Sequence, residues 1–129
     1  MKQSLRKVGT RGEDLAVRHL RSRGYSILAR NMRTPFGEID IVAEHDGILV
    51  FLEVKARTSD KAGPPHASVT RTKQRHIIRS AQYYILKNRL RDVSCRTDVI
   101  SINLDRQGRL ENLRHIRNAF GLEALERSQ

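Results

Sequence analysis

Twelve residues lie between Asp40 and Glu53, and Lys55 follows Glu53 by two, inside GEIDIVAEHDGILVFLEVKAR, residues 37–57. The runs around them, Ile39 to Ala43 and Ile48 to Val54, are otherwise rich in Ile, Val, Leu and Phe. An acid buried in such a run is costly unless it is paired or bound to a metal. Two carboxylates side by side repel, and three things relieve them. One takes a proton, because a like charge raises its pKa. A lysine or arginine neutralises them. Or a divalent cation sits between them, with oxygens at about 2.0–2.1 Å if it is magnesium.

Whether the acids meet depends on a hairpin. Asp46-Gly47 is a strong two-residue turn signal, because both central residues want positive φ. A turn there places His45 opposite Ile48, Asp40 opposite Glu53 and Glu38 opposite Lys55. A three-residue loop or a bulge would shift that register by one. Side chains alternate along strands, so Glu38, Asp40, Glu53 and Lys55 share one face. Ile39, Ile41, Leu52 and Val54 share the other, which is expected to be core. Directly opposed Cβ atoms lie about 4.5–5.5 Å apart, close enough for joint work on a cation. The plainer alternative is a surface hairpin laced with ion pairs such as Glu38 with Lys55.

The rest of the chain supplies elements to hold this hairpin. The first eight residues read as a mobile basic arm, residues 9–120 as one domain, and residues 121–129 as a C-terminal tail. Thr10-Arg11-Gly12-Glu13 fits a capping box, followed by a helix to about Arg23 with Ala16, Val17 and Leu20 on its apolar stripe. Gly24 is a natural stop. Tyr25 to Asn31 reads as a strand and Thr34-Pro35-Phe36-Gly37 as a turn. After the hairpin comes a polar loop, Thr58 to Pro65, and then a helix from about Ser68 to Leu90, with Ile77, Ile78, Ala81, Tyr84 and Ile85 at helical spacing. Thr97 to Leu104 alternates as a strand, and Leu110 to Ile116 reads as a short last one. The fold class is mixed α/β: a central mixed sheet flanked by helices, in the order α-β-β-β-α-β-(β).

Composition narrows the partners. Lys plus Arg number 25 against 14 acids, for a net charge of +11. So large a positive charge favours a polyanion, because neutralised phosphates release counterions. Arginine outnumbers lysine, and its planar fork suits phosphate. With three Tyr, three Phe and no Trp, stacking on single-stranded bases is not the expected mode. No stretch is apolar enough to span a membrane. No GxxxxGK[ST] points to a nucleotide cofactor. His19, His45, His66, His76 and His115 show no zinc spacing with each other or with Cys95. The single cysteine and the lack of a signal-like start fit the cytoplasm.

The stretches "RGEDLAVRHL", "GYSILARNMR", "GEIDIVA", "LVFLEVKAR" and "RTDVISI", from about Gly9 to Phe120, together resemble the YraN-like family of small bacterial proteins. Asp40 with Glu53-Val54-Lys55 resembles the D…ExK signature of restriction-endonuclease-like, PD-(D/E)xK nucleases, and the group is similar in fold to archaeal Holliday-junction resolvases. The resemblance implies a restriction-endonuclease-like fold and hydrolysis of phosphodiester bonds in nucleic acid, DNA first, with Mg²⁺ or Mn²⁺. Asp40 and Glu53 would hold the metal, with the Val54 carbonyl as a third ligand. Lys55 would position water or offset charge on the phosphate. A helical acid in resolvase-like relatives joins the metal site, which implies Glu13 here; the capping box accounts for the same residue, and one side chain could do both. Related nucleases place a polar group at the start of the second helix, which points to Lys73 and Gln74, although a solvated face is the plainer reading of Gln74. Arg57, and less directly Arg33, are phosphate contacts. Arg71, Lys73, Arg75 and Arg79 could track a backbone or simply be solvated. Asp98 is expected to order the sheet. Cutting a junction would need two sites, hence a homodimer. A non-catalytic nucleic-acid-binding module within a larger repair or ribosomal assembly is the rival expectation.

Overall fold

The computed structural model describes residues 5–58 and 69–121, with side chains from residue 7 onward. Seven elements follow in chain order: α1 (Leu5–Ser22), β1 (Ser26–Thr34), β2 (Gly37–His45), β3 (Ile48–Thr58), α2 (Arg71–Lys87), β4 (Cys95–Leu104) and β5 (Leu110–Phe120). The strands form one five-stranded sheet in sequence order. β3 and β4 run parallel and the other neighbours antiparallel. A parallel pair needs a crossover, and α2 provides it. The expected mixed sheet and helix order are therefore present, with β1 and β5 longer than the sequence suggested. The expected C-terminal tail and most of the Thr58–Pro65 loop lie outside the described residues.

α1 begins five residues before the expected cap. Thr10 and Glu13 lie inside the helix, so they have no helix start to cap, and residues 5–8 of the expected arm are helical. Burial explains the extension: Val8 is 4% exposed and packs with Ala16, Val17 and Leu20 in the core. The far end is as expected. Gly24 takes φ +86, and the Tyr25 N–H returns to the Leu20 carbonyl at 3.0 Å. A glycine in that left-handed conformation closes a helix without steric cost.

The Asp46-Gly47 turn has both residues at positive φ, 51 and 78, and sets the expected register from His45↔Ile48 to Ile41↔Leu52. Strand alternation then sorts the core. Ile41, Ala43, Val50, Leu52, Ile100 and Ile102 face α1, whereas Val42, Leu49 and Phe51 face Ala81 of α2. Gly12 lets α1 lie close on β3: a Cβ there would run into the Ala56 Cβ.

Alternation fails in β1, where the register shifts between Ile27 and Ala29, and in β2 at Ile39. Ile39 was expected beside Ile41 but packs with Val42 and Phe51 on the α2 side. On the neighbouring strand Asn31 sits at φ 50, between the pairs Arg30↔Ile41 and Met32↔Ile39. The β2–β3 ladder stops at Ile41↔Leu52, so Glu38 does not face Lys55; it pairs with Arg33 of β1 instead.

Candidate active site

Where the β2–β3 ladder ends, a side chain replaces the backbone. The Val54 N–H donates to Asp40 Oδ2 at 2.8 Å. Glu53 follows Leu49 and Phe51 on the α2 side of β3 and is 4% exposed. Burial, the charge of Glu53 and a hydrogen bond with Glu53 raise the Asp40 carboxyl to about 7, against the Val54 N–H, which lowers it. The two carboxyl groups thus sit within hydrogen-bonding reach, and Asp40 is biased towards its protonated form near neutral pH.

Two ammonium groups meet the pair. Lys73 Nζ lies 2.5 Å and Lys55 Nζ 3.5 Å from the same oxygen, Glu53 Oε1. Lys73 comes from the first turn of α2, fixed by its N-cap: Thr70 Oγ1 accepts the Lys73 N–H at 3.2 Å. Burial and the neighbouring Lys73 lower the Lys55 pKa, with Glu53 opposing them. Burial acts on Lys73 in the same direction, but its bonds to Glu53 and Lys55 outweigh it, and its pKa is raised. The site therefore holds one firmly charged lysine and one that gives up its proton more readily.

Other sequence candidates lie elsewhere. Glu13 accepts from Arg30 Nε and Asn31 Nδ2, both at 3.0 Å. Among the described residues, no three His, Cys, Asp or Glu side chains gather as a metal-ligand group, so Glu13 does not complete a carboxylate triad. Gln74 is half-buried rather than simply solvated: its Nε2 donates to the Val69 carbonyl at 3.0 Å and braces the start of α2. Arg57 Nε donates to Asn103 Oδ1 at 3.1 Å across β3–β4. Arg33 is open to solvent, 3.7 Å from Glu38. Arg71 and Arg79 are exposed on α2, and Arg75 donates to Thr72 Oγ1 at 3.2 Å.

A second polar cluster escaped the sequence reading. Asp98 is wholly buried and accepts from Arg96 Nε, the Asn118 N–H and His115 Nε2, the last at 2.8 Å. Burial would raise its pKa, but these three donors hold it below the ordinary carboxylate range. Asp98 does order the sheet, as expected: its bond to Asn118 (φ 51) secures the irregularity between β4 and β5. Arg96 also reaches the Tyr25 hydroxyl at 2.6 Å, and Tyr25 stacks on His45. The one signal available was Asp98 itself, an acid beside the apolar run Val99 to Leu104; His45 and His115 gave none, because they come from strands far apart in sequence.

Among the described residues, no helix is long and apolar enough to cross a membrane. Comparison with known proteins gives close relatives over nearly the whole chain. A protein of Persephonella marina is 45% identical over 115 residues, covering 89% of this chain and 94% of the relative. One of Geobacter metallireducens is 46% identical, covering 91% and 94%. One of Clostridium perfringens is 43% identical, covering 93% and 98%. Each is named a UPF0102 protein. Among solved structures, an FdxN element excision controlling factor protein from Anabaena variabilis overlaps 81% of this chain and 98% of its own, at a TM-score of 0.35 and 12% identity. Residues 12–102 match the family model described as Uncharacterised protein family UPF0102, a span that takes in the carboxylate pair and both of its lysines, and the chain belongs to that family.

Proposed function

We propose that this protein is a divalent-metal-dependent nuclease that hydrolyses phosphodiester bonds in nucleic acid, DNA first. The observation that carries the reading is the carboxylate pair itself: Asp40 and Glu53 meet in a mostly buried site with Asp40 held at about 7. Hard carboxylate oxygens suit Mg²⁺ or Mn²⁺. Asp40 and Glu53 would hold the ion, with the Val54 carbonyl beside them. Bound there, it would polarise the scissile phosphate and lower the pKa of a water. Lys55, with its lowered pKa, is suited to orient that water or take its proton. Lys73 would move from Glu53 to the phosphate as negative charge develops. Glu13 would act at one remove, holding Asn31 where β1 passes Asp40. The net charge of +11 supports binding to the backbone. The resemblance to junction resolvases favours branched DNA and a homodimer.

The test is a cleavage assay with Mg²⁺ or Mn²⁺ on duplex, single-stranded and four-way DNAs and RNAs. Wild type should cut at least one of them, and Asp40→Ala and Lys55→Ala should not. Cleavage that survives both substitutions sinks the proposal, as does a panel left wholly intact.

A second reading has its own observation. The Lys73–Glu53 contact at 2.5 Å satisfies Glu53 without any metal, as a nucleic-acid-binding module with no turnover would need. Mn²⁺ titration separates the two. A nuclease gains thermal stability with Mn²⁺ and loses that gain in Glu53→Gln; a module shows neither.

A further inference from the structure

On the other side of the sheet, α1 and β5 enclose an open pocket of about 440 Å³ lined by His19, Arg23, Leu113, His115 and Arg117. No acid lines it. Two guanidinium groups and two imidazoles converge on one space, and Leu113 forms the apolar wall. From this geometry we propose that the pocket is a binding site for a phosphate group, separate from the carboxylate pair.

The site is built rather than accidental. His115 is 10% exposed and is fixed from behind by Asp98, which is itself wholly buried and held by Arg96 and the Asn118 N–H. Asp98 takes the His115 Nε2 at 2.8 Å, so Nδ1 is the ring nitrogen left for a ligand. His19 of α1 meets the His115 ring edge-on, with centroids 5.8 Å apart, so the second imidazole is held by packing. Among the described residues, neither Arg23 nor Arg117 has an ion-pair partner. Burial first, then the neighbouring His115 and Arg23, lower the His19 pKa. Arginine forks and ring N–H groups are the donors that match phosphate oxygens. A metal cation would meet the two guanidinium charges and only two imidazoles, so the pocket favours an anion.

Register separates this pocket from the carboxylate pair. Val54 pairs with Ile100, and Ile100 with His115, so His115 lies two strands from β3. His19 belongs to α1, whereas Lys73 at the carboxylates belongs to α2. The helices cover opposite faces, so a phosphate here is not the one Asp40 and Glu53 would attack. The inference does not depend on cleavage.

The experiment titrates inorganic phosphate into the full chain at constant ionic strength and follows histidine ring resonances by NMR. His19 and His115 should shift saturably, and His76, exposed on α2, should not. Arg23 and Arg117 are exposed, so Arg23→Ala/Arg117→Ala should fold normally and weaken phosphate binding about tenfold or more, the loss of charge-assisted contacts. Arg91→Ala should leave it unchanged. Oligonucleotides with and without a 5′-phosphate identify the source. A preference for the phosphorylated strand that the double variant loses assigns a terminal phosphate. Equal weakening of both assigns backbone phosphodiesters. A response to inorganic phosphate alone assigns a small free anion. Ring shifts that never saturate, or a double variant that binds as wild type does, overturn the proposal.

Discussion

Asp40→Asn tests the carboxylate pair without any substrate. The side chain keeps its shape, and its amide oxygen can still accept the Val54 N–H. What disappears is a buried group that titrates at about 7 in the folded chain against an ordinary value of 3.8. The folded state thus holds this proton more tightly than the unfolded chain does. Its contribution to stability is complete below about pH 4 and is lost as pH rises towards 7. Integrated over that window, linkage gives a loss of about 4 kcal/mol as an upper bound. Asparagine has nothing to lose there. Urea unfolding in EDTA should therefore show wild type weakening between pH 4 and 7 relative to Asp40→Asn, with the variant the more stable by some kcal/mol at pH 8. Added Mg²⁺ at pH 8 should restore wild type and leave the variant unmoved. A difference between the two proteins that does not change with pH would refute the reasoning, because it would mean that Asp40 is not protonated in the fold.

Glu53→Gln removes one of the two main causes of Asp40's raised pKa and leaves burial, so the same unfolding curves should fall over a lower pH range than in wild type. Lys73→Ala frees the Glu53 oxygen that its ammonium occupies at 2.5 Å; Mn²⁺ should bind about tenfold tighter by calorimetry, as expected from one charged contact, while cleavage drops. Gly12→Ala forces a Cβ into Ala56 and should cost about 1–3 kcal/mol in urea unfolding. Gly9→Ala, on the same helix with open space around its Cβ, should instead gain up to about 1 kcal/mol; equal effects at the two glycines would contradict the close helix–strand contact.

Some of this was legible in the residues. Asp46-Gly47 set the hairpin register because a two-residue turn with positive φ at both positions leaves one pairing. Gly24 ended α1 for the same local reason. The apolar periods of β2, β3 and α2 named Ile39, Ile41, Leu52, Ile77, Ile78 and Ala81 of the core, but not Val42 and Phe51, because both faces of the hairpin are covered. The start of α1 was missed because the local capping pattern at Thr10 and Glu13 was outweighed by the burial of Val8, a reward that exists only once the sheet is there.

The sequence by itself therefore determined the order of elements, the charge, and the fact that Asp40 and Glu53 would lie on adjoining strands, since each follows from neighbours a few residues away. Tertiary structure alone decided which cations meet them. Lys73 reaches Glu53 from a helix twenty residues on, Glu13 turns to Arg30 and Asn31, and His19 meets His115 across the sheet. Those meetings depend on how two helices seat against opposite faces of one sheet, and no local spacing encodes a seating that the whole core must agree on.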